Sequence, residues 1–150
     1  MVKVRRRARI VALQTLFEVD IAHHQPERVL LQRLEDTNLP QRGEEFARSL
    51  VSGVLKHQER LDPLIREHAP KWPLEQMALI DRNVLRIALF ELLVAQSAPV
   101  KVIINEAVEL AKLFGSDSSY RFINGVLGTL LDHRAQLPDI PSHLEYGERR

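Results

Sequence analysis

Apolar residues recur at helical spacing along most of the chain, and in one stretch they go almost all the way round the axis. From Ile80 to Val94 there is no Gly or Pro, and the polar residues of the first half, Asp81, Arg82, Asn83 and Arg86, form a single flank. A helix that is apolar on nearly every side has to be covered by neighbours. It is also too interrupted to span a bilayer, which takes about 20 mostly apolar residues. The pattern predicts the buried axle of a helical domain. Glu91 falls on the side shared by Ile80, Val84, Ile87 and Ala88. A carboxylate buried there needs donors, and the expected ones are backbone amides at the start of the next helix, near Lys101 to Ile103.

The other elements are arranged around this axle. Val4 to about His23 predicts a first helix with two apolar faces, one of Ala8, Ala12, Thr15, Leu16 and Val19, the other of Ile10, Leu13, Phe17 and Ile21. Pro26 starts a shorter helix with Val29, Leu30, Leu31 and Leu34 inward, ending near Asp36–Pro40. A third follows Gln41–Gly43, with Phe46, Leu50, Val51, Val54 and Leu55 inward. Asp62-Pro63 reads as the start of a fourth piece, a capping side chain followed by a proline in the first turn. Trp72, in the loop Pro70-Lys71-Trp72-Pro73, is expected to plug the core. Ser97-Ala98-Pro99 closes the axle. Lys101 to Phe114 is the next helix, with Gly115 as its stop. Ser116-Asp117-Ser118-Ser119 offers N-caps to a last helix that buries Ile123, Val126, Leu127 and Leu130. No strand alternation appears. The expectation is an all-α chain with one domain over 1–135 and a loose tail over 136–150.

Composition alters this picture in two places. With 45% hydrophobic and 27% charged residues the chain is ordinary for a soluble protein. The absence of Cys removes disulfides and thiolate sites and fits a reducing compartment, so a cytoplasmic location is expected. Glu18 and Asp20 count against a transit peptide at the start. Charge is more informative. Residues 1–10 hold Lys3, Arg5, Arg6, Arg7 and Arg9 and no acid, which is +5; the whole chain is +1, so the rest carries −4. A local concentration of cations points to a local anionic partner. At helical spacing these arginines fan out in three directions, so this end is expected to protrude into solvent. Cations are unfavourable at a helix N-terminus; something must offset them, and nucleic-acid phosphate is the expected group.

Little supports catalysis. Gly125-Val126-Leu127-Gly128 lies within a helix and lacks the preceding strand of a dinucleotide site. His23-His24 is a weak metal pair, because adjacent residues point apart on a helix. No nucleophile, base and acid stand out together, and neither enzyme activity nor a cofactor is expected. The better constellation pairs the arginine cluster with Tyr120-Arg121-Phe122, near the start of the last helix. Arginines hold phosphates, and unpaired bases stack on flat rings.

At this point a family resemblance becomes visible. Arg5-Arg6-Arg7-Ala8-Arg9 followed by Ala12-Leu13-Gln14-Thr15-Leu16-Phe17 resembles the opening of the NusB antitermination family. The segments Asp81 to Leu92, Lys101 to Lys112 running into Phe114-Gly115, and Phe122-Ile123-Asn124-Gly125-Val126-Leu127 resemble its later signatures, in the same order over about residues 3–132. The resemblance implies two small helical bundles packed around the central buried helix. It implies binding of boxA, a single-stranded element of ribosomal RNA leaders, jointly with NusE, a small-subunit ribosomal protein, in a complex with RNA polymerase and other Nus factors. Carried over by position, the RNA contacts would be Lys3, Arg5, Arg6, Arg7, Arg9, Phe17, Tyr120, Arg121 and Phe122, and the NusE contacts Glu75, Asp81 and Arg82. Where relatives often carry an acidic pair before the last helix, this chain has Asp117 and Ser118. Relatives also differ in whether they form a homodimer through the RNA-holding face. The alternatives are a helical protein-docking domain and an accessory module of an RNA-modifying enzyme.

Overall fold

Helices form where the apolar spacing predicts them, except in the middle of the chain and at the end of the axle. The structure, a computed structural model, describes residues 3–69 and 76–133. Trp72, Glu75 and the tail after 133 lie outside the described residues. Among those described there are six α-helices and no strand: α1 (Val4–Ala22), α2 (Pro26–Thr37), α3 (Gln41–His68), α4 (Leu79–Phe90), α5 (Val100–Phe114) and α6 (Ser119–Asp132). No described helix is long and apolar enough to cross a membrane. The chain divides into two compact units, Met1–Leu55 and Lys56–Arg150, and α3 runs through the division.

In the first unit, α1 buries Ala8, Val11, Ala12, Leu13 and Leu16, whereas its second predicted face fades toward the end, where Ile21 is 57% exposed. Both ends of the α1–α2 connection have local causes. His23 closes α1 in the left-handed conformation at φ 59°, its amide donating to Val19 O. His24 Nδ1 lies 2.9 Å from Glu18 Oε2. The adjacent histidines thus end a helix and partner an acid, and no group of three metal-ligating side chains occurs among the described residues. The hydrogen bond to His24, with Arg33 assisting, holds the Glu18 carboxyl below its ordinary range. Pro26 takes the first-turn position of α2, where its missing N–H is not needed. Asn38 closes α2 at φ 58°, a conformation asparagine tolerates. Leu31, expected inward, is 45% exposed, as its neighbours Val29, Leu30 and Leu34 already fill the buried stripe.

The second half of α3 departs from the expectation. Asp62-Pro63 does not start a helix; both residues lie within α3. An interior proline leaves the carbonyl four residues back without its amide. Here that residue, Glu59, and Pro63 itself are both exposed, so water can take the bond. Asp62 is unavailable as a cap because it is engaged elsewhere. Its two carboxylate oxygens accept from Arg86 Nε at 2.8 Å and Arg86 Nη2 at 2.9 Å.

Arg86 belongs to α4, the predicted axle, and its partner explains a second departure. The polar flank does not face solvent. Asp81, Asn83 and Arg86 are all buried along with Val84, Leu85, Ile87, Ala88 and Leu89. Arg86 spreads its donors over Asp62 and, from Nη1 at 3.2 Å, Asn83 Oδ1. Asn83 Nδ2 in turn donates to Leu79 O at 3.0 Å. The axle then continues as a π-helical segment, Glu91–Ala95, which the apolar pattern does not distinguish from α-helix. Glu91 is 1% exposed and accepts a 2.5 Å hydrogen bond from Ser97 Oγ, in the turn ahead of α5. The Ile103 amide, one of the donors expected for it, bonds to Pro99 O.

Gly115 ends α5 as predicted but for a different reason. Its φ is −93°, open to any residue, so no left-handed conformation calls for glycine. Space does. A Cβ there would fall 2.5 Å from Ser119 Cβ and 2.8 Å from Ala111 O, and nearer still to Ser119 Oγ. The Ser119 hydroxyl fills that space and accepts the Ser116 amide at 2.9 Å, which fixes the start of α6. The four predicted core residues of α6, Ile123, Val126, Leu127 and Leu130, are all buried.

Two stability changes follow from this packing. Arg86→Ala leaves a carboxylate and an amide oxygen without their donor, and should cost about 3–5 kcal/mol in urea denaturation. Gly115→Ala should cost about 1–3 kcal/mol through overpacking; an unchanged midpoint would mean that Ser119 yields without loss.

Candidate nucleic-acid interface

The cations of the first unit do not form the free tip that their spacing suggests. Arg9 is 3% exposed. Arg5 remains exposed, but its Cζ lies 3.9 Å from the centre of the Phe46 ring, and Arg9 Cζ lies 5.2 Å from the same centre. A guanidinium over an aromatic face contributes about 0.5–1 kcal/mol at an exposed site. Arg7 Nη2 donates to Thr37 O at 2.9 Å and Asn38 O at 3.4 Å. Those carbonyls end α2, where the helix dipole attracts a cation. The offset that a cationic helix start requires is therefore partly internal. Lys3, Arg6 and Phe17 are half-buried. Phe46, read from the sequence as core, is the ring on which two arginines rest; nothing in its apolar spacing signals that use.

In the second unit the start of α6 presents Tyr120 half-buried, Arg121 exposed and Phe122 half-buried, as the helical projection predicts. Two cations lie against Tyr120, Arg121 Cζ at 5.1 Å and Lys112 Nζ at 5.5 Å from the ring centre. Lys112 was not singled out by sequence reasoning, and its place one helix earlier explains why. A cleft of about 530 Å³ opens beside this edge, lined by Met77, Asp81, Ser118, Arg121 and Phe122 among others. Asp81, carried over from the family as a NusE contact, thus shares a cleft with two of the expected RNA contacts. Arg82 is half-buried, with Nη2 3.4 Å from Met77 O. Glu75 lies outside the described residues.

The electrostatics of this cleft centre on Asp81. Burial pushes its carboxyl above the ordinary 3.8, and a hydrogen bond from Ser119 opposes the shift in part. Its Oδ1 is shut off from solvent without a hydrogen-bond partner. With the folded value raised, the native state binds more protons than the unfolded chain between 3.8 and that value. Stability contributed by this group is then present below 3.8 and is lost as the pH rises through the window. In denaturant melts at a series of pH values, Asp81→Asn should therefore gain on the native protein as the pH rises, and level off once the carboxyl is ionised. A difference that stays flat with pH would show that burial does not hold the proton.

Comparison with known proteins agrees with this architecture. Residues 6–132 match the NusB family. Transcription antitermination protein NusB of Roseiflexus sp. (strain RS-1) is 53% identical over 133 residues, covering 87% of this chain and 94% of that protein. The protein of the same name from Chloroflexus aggregans (strain MD-66 / DSM 9485) is 54% identical over 129 residues, covering 85% and 86%. Among solved structures, T. maritima NusB aligns with a TM-score of 0.81 at 34% identity, over 88% of this chain and 93% of that one. NusB in a crystal structure of the antitermination factors NusB and NusE with double-stranded RNA aligns with a TM-score of 0.80 at 26% identity, over 88% and 98%. The match runs from α1 through α6, and the chain belongs to the NusB family.

Proposed function

We propose that this member of a family of transcription antitermination factors binds single-stranded boxA RNA in the cytoplasm, jointly with NusE, and joins RNA polymerase and other Nus factors. In this reading residues 1–135 act as one RNA-binding domain and carry no catalytic step. The observation that carries it is the edge at the start of α6, where an exposed arginine and a half-exposed phenylalanine border one cleft. A single strand needs both elements, a cation for its phosphates and a flat ring for its bases. The cationic start of α1 supports the reading further. Arg5 and Arg7 are each seated, on a ring and on helix-end carbonyls, yet both remain exposed. Cations fixed in place lose less freedom on meeting a phosphate than free ones do. The solved structure of a relative with NusE and double-stranded RNA supports NusE and RNA as partner classes, and the single-stranded form rests on the ring and the cation at the cleft.

Anisotropy titrations with a short boxA-like RNA, with and without NusE, test this. If three or four phosphates are neutralised, log K should fall against log salt with a slope of about −2 to −3, from roughly 0.7 per contact on a single strand. Arg121→Glu should weaken every RNA sequence alike. Phe122→Ala should cost about 1–3 kcal/mol if the ring stacks on a base. Unchanged binding by both variants would remove the site, and no binding at all would leave a protein-docking domain.

A further inference from the structure

Away from the cleft, two histidines meet where two helices end. His68 is the last residue of α3 and His133 follows the last residue of α6, both within the second unit. Their ring centres lie 5.7 Å apart, with the planes inclined at 49°. His68 is 8% exposed, whereas His133 is open to solvent. Each ring is held in the same way. His68 Nδ1 lies 2.9 Å from Leu64 O, and His133 Nδ1 lies 2.9 Å from Thr129 O, in both cases the carbonyl four residues back in the chain. A carbonyl only accepts, so in each neutral ring Nδ1 carries the proton and Nε2 the lone pair. Among the described residues no hydrogen bond engages either Nε2.

This arrangement suits a metal ion. An imidazole that ligates a metal through one nitrogen almost always donates the other to a carbonyl or carboxylate, which fixes its tautomer; both rings are already held so. With Nδ1 tied to its own helix, Nε2 on the opposite edge of the ring is the nitrogen left to point outward. Two imidazoles that share one tetrahedral ion, each at about 2.0–2.1 Å, have ring centres about 5–5.5 Å apart. The observed spacing therefore needs only a small closure. The backbone adds to the site. The last carbonyls of a helix carry partial negative charge, and two such helix ends converge here. Arg66, two positions before His68, projects from another side of α3. Imidazole suits zinc, whereas magnesium and calcium take oxygen ligands.

We propose that His68 and His133 bind one Zn2+ through their Nε2 atoms, with water in the remaining positions, and that the ion joins the end of α3 to the end of α6. Structural zinc centres use four protein ligands. Two ligands make a weaker site, so the ion binds reversibly and adds stability to a chain that folds without it. The site uses none of the residues assigned to RNA or NusE and stands apart from that reading.

The test titrates the full chain, stripped of metal beforehand, with Zn2+ alone. Calorimetry should show zinc binding by the native chain, and the thermal midpoint should rise with zinc concentration. His133→Gln removes a ligand from an exposed position, so its urea midpoint without zinc should match the native one. Its zinc affinity should fall about tenfold or more, because loss of even an outer partner of a metal ligand costs about 10–100-fold. His24→Gln, at the other histidine pair, should bind zinc as the native chain does. In NMR spectra the ring signals of His68 and His133 should move together as Zn2+ is added and stay in place with Mg2+. Zinc affinity that survives His133→Gln undiminished, His68 signals that stay in place while zinc binds, or a native chain that binds no zinc would each overturn the inference.

Discussion

A helix buried on its polar flank as well as its apolar faces must find an internal partner for every polar group it carries, and α4 is such a helix. Arg86 is the group that makes this burial feasible. Its guanidinium spreads over both oxygens of Asp62 and the amide oxygen of Asn83, so the charge enters the interior with its donors engaged. Two-pronged pairs of this kind are among the stronger hydrogen-bonded contacts, and removing one partner strands the other. The same pair ties the second half of α3 to the axle. It also explains why Asp62 is not a helix cap, although the dipeptide Asp62-Pro63 carries the signature of one.

The placement of α4 carries through to the candidate site. Asp81 sits in its first turn and bonds to Ser119, the buried serine at the head of α6. Ser119 in turn occupies the space that Gly115 leaves open, and holds the Ser116 amide. The orientation of Tyr120, Arg121 and Phe122 thus depends on a short run of contacts that begins at a buried carboxylate. Asp81 is the one acidic group on this path with an oxygen unmet, and burial raises its carboxyl accordingly. In the first unit the logic is reversed. There the charges are cations at a helix start, and each described anchor, the Phe46 ring or the carbonyls that end α2, offsets part of an unfavourable position.

Much of this was legible in the sequence, and the rest was hidden for physical reasons. Apolar spacing alone placed α1, α2, α5 and α6, because a stripe of Ile, Val, Leu and Ala at helical period has few other ways to be covered. The edge of Tyr120, Arg121 and Phe122 followed from the same projection. Spacing could not tell that Pro63 is tolerated inside α3, since that depends on whether the freed carbonyl reaches water. Nor could it tell that the polar flank of α4 turns inward, since that depends on Asp62, distant in sequence. The π-helical segment after Phe90 has no periodic signature of its own. The arginines looked like a free tip because their partners, Phe46, Thr37 and Asn38, belong to other helices. Family resemblance supplied the RNA and NusE partners and placed Asp81 among the NusE contacts; the cleft that it shares with Phe122 emerged only from the fold.

The central claim is that single-stranded RNA binds at the edge where Arg121 and Phe122 border one cleft at the start of α6. An NMR titration of the isotopically labelled chain with a single short boxA-like RNA tests this most directly. The account predicts that the side-chain signals of Arg121 and the ring signals of Phe122 shift together, with one dissociation constant. Bound RNA that leaves the signals of Arg121 and Phe122 unmoved would contradict it.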